Sequence, residues 1–370
     1  MNNEIFTNIS KIIERDSKAT TYKFALLRGV IDIIQENSPF ITFSKDRVNI
    51  PTGLLLEKWM IYYYPILESI INIPQINGQT NLAFGLQLKD IIIKYKNIGG
   101  FSAFYNDLKN KGIPKHFHKD FLALTKKLKD TITSMPMKYI GRSISNDYYS
   151  IFEFEPGNVL RNIIDIDLEF LINTSGTFSI PFKYFEAFKI LGSFINGQDS
   201  ILFKWAEFSV KASKQNLTLE KVVNEVLKSP INEREISASK KFYKDILAKE
   251  KFVKCVWTGE KIITYDVDHV IPFSVWKNND LWNLLPSRPK TNNQKRDKIP
   301  SSAFIENKKE AIIYYWNLIN ESQSQRFQKE IRIALLGNVL NKEWQETAIE
   351  RLKISCNYLI TNRGFEEWKI

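Results

Sequence analysis

A polar, proline-bearing stretch at residues 229–240 (SPINEREISASK) interrupts a chain whose flanks are rich in apolar and aromatic side chains. It offers no apolar face to bury, so it reads as a boundary between parts that fold around separate cores. Length argues the same way, because 370 residues exceed what one core ordinarily serves. The chain is 44% hydrophobic and 13% aromatic, enough for sizeable cores and too apolar for a disordered polypeptide. The expected architecture is α+β: a mainly helical recognition or partner region over 1–235, a compact mixed module over 236–305, and a helical C-terminal extension over 306–370.

Periodicity supplies the elements. Phe24, Leu27, Val30 and Ile34 recur at spacings of three and four, which predicts a helix over 20–35. The alternating run ITFSKDRVNIP predicts a strand before Pro51, which starts a helix through Trp59–Tyr64. Further helices are expected over 82–96, 101–112, 115–133, 182–194 and 200–213, and YYSIFEFEPG reads as a strand ending in a turn. Beyond residue 301 two or three amphipathic helices are expected, one carrying the stripe Leu340, Trp344, Ala348, Leu352 and Cys356.

The net charge of +11 favours a polyanionic partner. Lys109, Lys111, Lys115, Lys119, Lys126, Lys127 and Lys129 face only Asp120 across 109–129; a solvated helix face and a DNA-tracking surface both fit that run. His116 and His118 are two apart and do not share a helix face, so they do not read as a metal pair. Asp165, Asp167 and Glu169 read as a solvent-facing strand edge or helix start in preference to a second metal site, and Trp59, Tyr62, Tyr63 and Tyr64 as core in preference to a base-stacking platform. The N-terminal MNNEIFTNISKIIERD lacks the apolar run of a signal peptide, and no uninterrupted apolar stretch is long enough to span a bilayer. Cys255 and Cys356, far apart, make no disulfide framework. A cytoplasmic protein with no membrane association is the expectation.

The chemistry lies in CVWTGEKIITYDVDHVIPFSVWKNNDLWNLLPSRPKTNNQKRDKIPS, residues 255–301. Phosphodiester hydrolysis near neutral pH needs an activated water, a Lewis acid and help for the leaving oxygen. Neutral imidazole suits the first task. Carboxylate and amide oxygens suit a hard divalent cation. Asp268 and His269 end a strand-like run, and an Asn-rich, Lys-rich stretch follows.

Three pieces, DVDHVIP with Ser274, Asn283 in LWNLLPSR, and NNQKRDKIP, resemble the HNH (ββα-metal) endonuclease family. The resemblance is nearest to the HNH domains of restriction enzymes and RNA-guided CRISPR nucleases. His269 to Asn283 is 14 positions (283 − 269) and His269 to Asn292 is 23 (292 − 269), which suits a strand–loop–strand–helix unit. The resemblance implies His269 as general base and Asp268 and Asn292 as ligands of Mg²⁺ or Mn²⁺, with Asn293 the competitor for Asn292. It implies that Asn283 holds the loop and orients the His269 ring through a backbone contact. Lys295 would bind phosphate with Arg288 or Arg296, in a nucleic-acid-binding cluster with Lys290 and Lys298.

Many HNH proteins pair two Cys-x-x-Cys motifs around a structural zinc; here those positions read CVWT from Cys255 and PSRP from Pro286. One cysteine cannot complete a four-ligand site. No structural zinc is expected, with Val256, Trp257, Ile262 and Ile263 packing in its place. The resemblance implies a Mg²⁺-dependent endonuclease acting on DNA and leaving 5′-phosphate and 3′-hydroxyl ends. The expected role is bacterial restriction or anti-phage defence. The alternatives are a partner-activated effector subunit, an RNA-cleaving toxin and a binding module without activity. The region to 235 would recognise a sequence, a modified base, a partner protein or an activating signal.

Overall fold

The computed structural model describes residues 5, 7–9, 20–76, 81–140, 150–157, 165–196, 201–231, 233–339 and 343–369. The chain divides into two compact units, residues 1–230 and 231–370. Both mix helices with small sheets, so the protein is α+β, with helices prevailing at each end.

In the first unit, helix α1 (Tyr22–Gln35) is followed by β1 (Thr42–Phe43), β2 (Arg47–Pro51) and helix α2 (Thr52–Glu68). Where a single strand was expected over 41–51, the polar SKD segment makes a turn in which Ser44 Oγ donates to Arg47 O, and β1 pairs back on β2. Helices α3 (Gly85–Lys96), α4 (Gly100–Asn106), α5 (His118–Ser134) and α6 (Pro136–Tyr139) come next. The expected helix over 101–112 ends early, in a wider turn over Asp107–Lys111. Strand β3 (Glu153–Glu155), α7 (Leu168–Thr174), β4 (Thr177–Pro181), α8 (Phe182–Asn196), α9 (Ile201–Ala212) and α10 (Leu219–Val226) complete the unit. The antiparallel sheet runs β1-β2-β4-β3.

This unit is built on aromatic packing. Trp59, Tyr62, Tyr63 and Tyr64 are all buried, and the Tyr63 ring sits 5.0 Å from Phe84 and 5.2 Å from Trp205. Two of the polar ends in this cluster find partners: Trp205 Nε1 donates to Gln75 Oε1 at 2.7 Å, and the Tyr63 hydroxyl meets Thr21 Oγ1 at 2.9 Å, whereas Trp59 Nε1 and the Tyr64 hydroxyl are buried without one among the described residues. Helices α2 and α7 cross at Gly53, where a Cβ would lie 2.2 Å from the Leu171 carbonyl carbon, so no larger residue fits. Asp167 caps α7, accepting from Phe170 N at 2.8 Å, which assigns it to a helix start. On α5, Phe121, Leu124, Leu128 and Ile132 are buried while Lys119, Lys126 and Lys127 are exposed. His116 is exposed, and His118 Nε2 bonds Ile113 O at 2.8 Å.

In the second unit, helix α11 (Ser237–Glu250) leads into β5 (Val253–Lys254), β6 (Lys261–Ile262), β7 (Asp266–His269), the short α12 (Phe273–Trp276), β8 (Leu284–Ser287) and α13 (Pro289–Lys295). Strand β9 (Ile299–Pro300), the long α14 (Ser302–Ile331), α15 (Trp344–Thr361) and β10 (Glu367–Trp368) follow. Strands β7 and β8 are antiparallel, with His269 opposite Leu284 and Asp266 opposite Ser287. Pro289 opens α13 where its missing N–H costs nothing. The helices after residue 301 share one core with the strands: Trp257, Trp282, Leu285 and Ile299 pack in the same cluster as Trp316, Ala348, Leu352 and Cys356. Leu340, the first residue of the expected stripe, lies outside the described residues. Helix hydroxyls tie down strand backbone, Tyr243 Oη donating to Leu284 O (2.8 Å) and Tyr315 Oη to Lys254 O (2.6 Å), and Trp316 Nε1 donates to Trp282 O (2.9 Å) in the turn just before β8. Val256 and Trp257 join the core as expected. Ile263 does not: Ile262 pairs with Val253 in the ladder, and its neighbour Ile263 is left 75% exposed.

The loop between β7 and β8 hangs on one carboxylate of α14. Glu330, fully buried, accepts from Leu281 N at 2.7 Å and from Arg326 Nε at 2.7 Å. Burial, with Asp280 close by, pushes its pKa up from 4.5 to about 7. An acid whose pKa is higher in the folded than in the unfolded chain stabilises fully below its unfolded value and loses that contribution as pH rises through the folded one. The second unit should therefore lose stability between about pH 4.5 and pH 7. Thermal melts across this range should show a shallower decline for Glu330→Gln than for the wild type.

Candidate active site

Strand β7 presents Asp266 and Asp268 on one face, because alternate residues of a strand point the same way. Helix α13 lies across that face. Residues three apart on a helix are separated by roughly 4.5 Å along its axis, and residues two apart on a strand by roughly 6.6 Å. Asn292 and Lys295 can therefore each reach one aspartate. Asn292 Nδ2 donates to Asp266 Oδ2 at 3.1 Å, and Lys295 Nζ to Asp268 Oδ1 at 3.1 Å.

Asp268 is 4% exposed, and both of its oxygens hold donors: Lys295 on Oδ1 and the Trp257 indole on Oδ2 at 2.6 Å. Burial pushes its pKa above the ordinary carboxylate value, opposed by Lys295 and by the indole hydrogen bond. Lys295 is completely buried, and Nζ also donates to His269 O at 2.5 Å. An ammonium enclosed this way cannot meet a phosphate. The expected phosphate-binding role gives way to another: Lys295 neutralises Asp268 and staples α13 to β7.

His269 closes the strand at 5% exposure. Its Nε2 lies 3.2 Å from Asn279 Oδ1, and its ring meets Phe273 edge-on at 5.6 Å. Asn279 Nδ2 donates to Glu233 O at 3.0 Å, which fixes the amide with its oxygen toward the imidazole. An oxygen there only accepts, so the hydrogen-bond network assigns the proton to Nε2 and the lone pair to Nδ1. Burial depresses the His269 pKa to about 4; the bond to Asn279 opposes this, and the charges of Arg234 and Lys295 add to it. The imidazole is neutral at pH 7, as a base must be before it takes a proton.

Asn283 serves the loop and not the ring. Fully buried, it accepts from Ile271 N through Oδ1 at 2.8 Å and donates from Nδ2 to Ile271 O at 3.1 Å, while its carbonyl accepts from Val270 N at 2.8 Å. The expected contact orienting His269 is made by Asn279 instead. Asn279 carries no sequence signal beyond its place in an Asn-Asn-Asp loop. Asp266 was equally unremarked, although the alternation Asp-Val-Asp does put it on the Asp268 face.

The remaining cations are spread along the outside. Arg288 is exposed and paired with Glu260 at 2.9 Å, and Lys298 pairs with Glu366 at 2.5 Å. Lys290 is exposed; Arg296, also exposed, ends α13 at φ +51° and donates from Nε to Asn293 O at 3.3 Å. Asn293 faces solvent, whereas Asn292 is half-buried against the strand. Cys255 is a buried thiol whose sulfur accepts from Arg288 N at 3.3 Å.

Asp266, Asp268 and Asn292 together offer carboxylate and amide oxygens of the kind hard divalent cations select. Each Asp268 oxygen holds a single donor and so keeps a further lone pair. The donor set fits Mg²⁺ or Mn²⁺ and contains no thiolate. Among the described residues no helix is long and apolar enough to cross a membrane.

A buried charge left without its partner costs about 3–5 kcal/mol. Lys295→Met should therefore lower urea-unfolding stability of the second unit on that scale. Lys295→Met combined with Asp268→Leu should recover much of the loss, which a double-mutant cycle would read directly.

Residues 2–226 match a family described as a domain of unknown function (DUF8808), and residues 255–301 match the HNH endonuclease family. No curated protein matches the chain.

Proposed function

Starting from a chain that belongs to the DUF8808 family and carries an HNH endonuclease segment, we propose that it is a metal-dependent endonuclease hydrolysing DNA phosphodiesters. The observation that carries this reading is His269: a neutral imidazole, its Nε2 held by Asn279, at the end of the strand that presents two aspartates to Asn292. His269 Nδ1 takes the proton of the attacking water. Asn279 keeps that tautomer and shares the positive charge that develops on the ring. Lys295 counters the effect of burial on the Asp268 carboxyl, and Asn283 fixes the backbone that follows His269. Asp266, Asp268 and Asn292 would hold a hard cation, which supplies charge neutralisation at the phosphate and the leaving oxygen when bound. A separate unit of some 230 residues joined to this catalytic unit suits a nuclease that acts only on a recognised target. Bacterial restriction or anti-phage defence is the role we assign to it.

His269→Ala should cut the cleavage rate by roughly 100-fold or more while leaving DNA affinity nearly unchanged, since phosphate contacts dominate affinity. Plasmid cleavage should stop in EDTA and return with Mg²⁺ or Mn²⁺. A His269→Ala protein that cuts at the wild-type rate would overturn the assignment. Asn279→Ala should lower kcat by about 10- to 100-fold at nearly constant KM, as loss of a residue that orients a reactive group does.

A further inference from the structure

The cations expected to grip substrate are largely committed elsewhere: Lys295 is buried beneath Asp268, while Arg288 and Lys298 are paired with Glu260 and Glu366. A different cation stands at the ring that packs against His269. Arg234 is exposed, and its guanidinium carbon lies 6.0 Å from the centre of the Phe273 ring, which itself packs edge-on against the His269 ring. Among the described residues no carboxylate pairs with it. The backbone that carries it is anchored at the site, because the carbonyl of the preceding residue, Glu233, accepts from the same Asn279 amide whose oxygen holds His269. One side chain thus ties together the base and the segment that carries the arginine.

We propose that Arg234 is a substrate-binding residue of this site, its guanidinium receiving the non-bridging oxygens of a backbone phosphate presented to His269. The inference rests on the nuclease reading. A planar fork of donors suits phosphate oxygens, and the face of Phe273 holds the guanidinium beside the imidazole without neutralising it. A nucleic-acid backbone is the ligand this chemistry selects. A lone arginine reads phosphate and not base sequence, so its contribution is the same for every sequence.

The test separates binding from turnover. Affinity for a fluorescent duplex oligonucleotide is measured by anisotropy on His269→Ala protein with and without Arg234→Gln, across a salt series. Arg234→Gln should weaken binding about tenfold and flatten the plot of log affinity against log salt by about 0.9, the loss of one phosphate contact. In otherwise wild-type protein, Arg234→Gln should raise KM more than it lowers kcat, and Arg234→Lys should recover part of the loss. Affinity, salt slope and kcat/KM all within twofold of the parent would overturn the proposal. Wild-type protein that cleaves no substrate would overturn the nuclease reading alone, since the affinity comparison needs no turnover.

Discussion

The second unit is organised by a buried ion pair. Lys295 and Asp268 lie at 0% and 5% side-chain exposure, with the Trp257 indole on the remaining carboxylate oxygen. Removing two charges from water is expensive, and the expense is offset only when every polar atom finds a partner. Here Lys295 also reaches His269 O, so one ammonium fixes the end of β7 against the last turn of α13. The spacing between strand and helix, the half-buried pairing of Asn292 with Asp266, and the placement of His269 all follow from that contact. A hydrophobic pair of similar volume could hold the two elements together, but it would leave no carboxylate at the site.

Much of this was legible in sequence because it is local. The run DVDH, the positions of Asn283 and Asn292, and the helical stripes of α1 and α15 lie within single elements or within one short strand–loop–strand–helix span. What escaped was set by contacts from far along the chain. Glu330 sits on a helix 49 residues beyond Leu281, whose amide it accepts, and nothing in the pattern of α14 marks it as buried. Lys295 closes a short polar helix, a position that ordinarily faces water; only the fold shows the carboxylate beneath it. Arg234 was hidden for the opposite reason. It belongs to a polar stretch that composition assigns to a boundary, and composition says nothing about which end of that stretch folds back onto the site. Ile263 failed more simply: β6 ends at Ile262, and the next residue is turned away from the core.

The first unit is held by a different kind of network. Lys58 is buried on α2, where burial works against its charge, yet Glu36 and Glu57 keep its pKa above the ordinary lysine value. Nearby, Tyr62 donates to Asp32, and the Arg28 guanidinium lies 4.0 Å from the centre of the Tyr62 ring. These residues cross-link α1 and α2 under a shell of aromatic rings. The burial of Trp59, Tyr62, Tyr63 and Tyr64 settles their part in packing and takes them out of consideration as an exposed platform for bases. The lysines of α5 keep their solvent face and stand apart from that core.

Both cysteines of the chain fall in the second unit, and both are fully buried. Burial pushes the Cys356 thiol up to about 12, so the thiolate that reacts with alkylating reagents is scarce even when a reagent gains entry. Cys255 is screened by the Arg288 amide and the Ser287 hydroxyl. Modification therefore waits on opening of the strands or of the α14–α15 packing, and its rate measures how often that opening occurs. The first unit contributes no thiol and stays silent in such a measurement. The chain thus carries a native clock for the breathing of its second unit, readable in the intact protein without adding a label site.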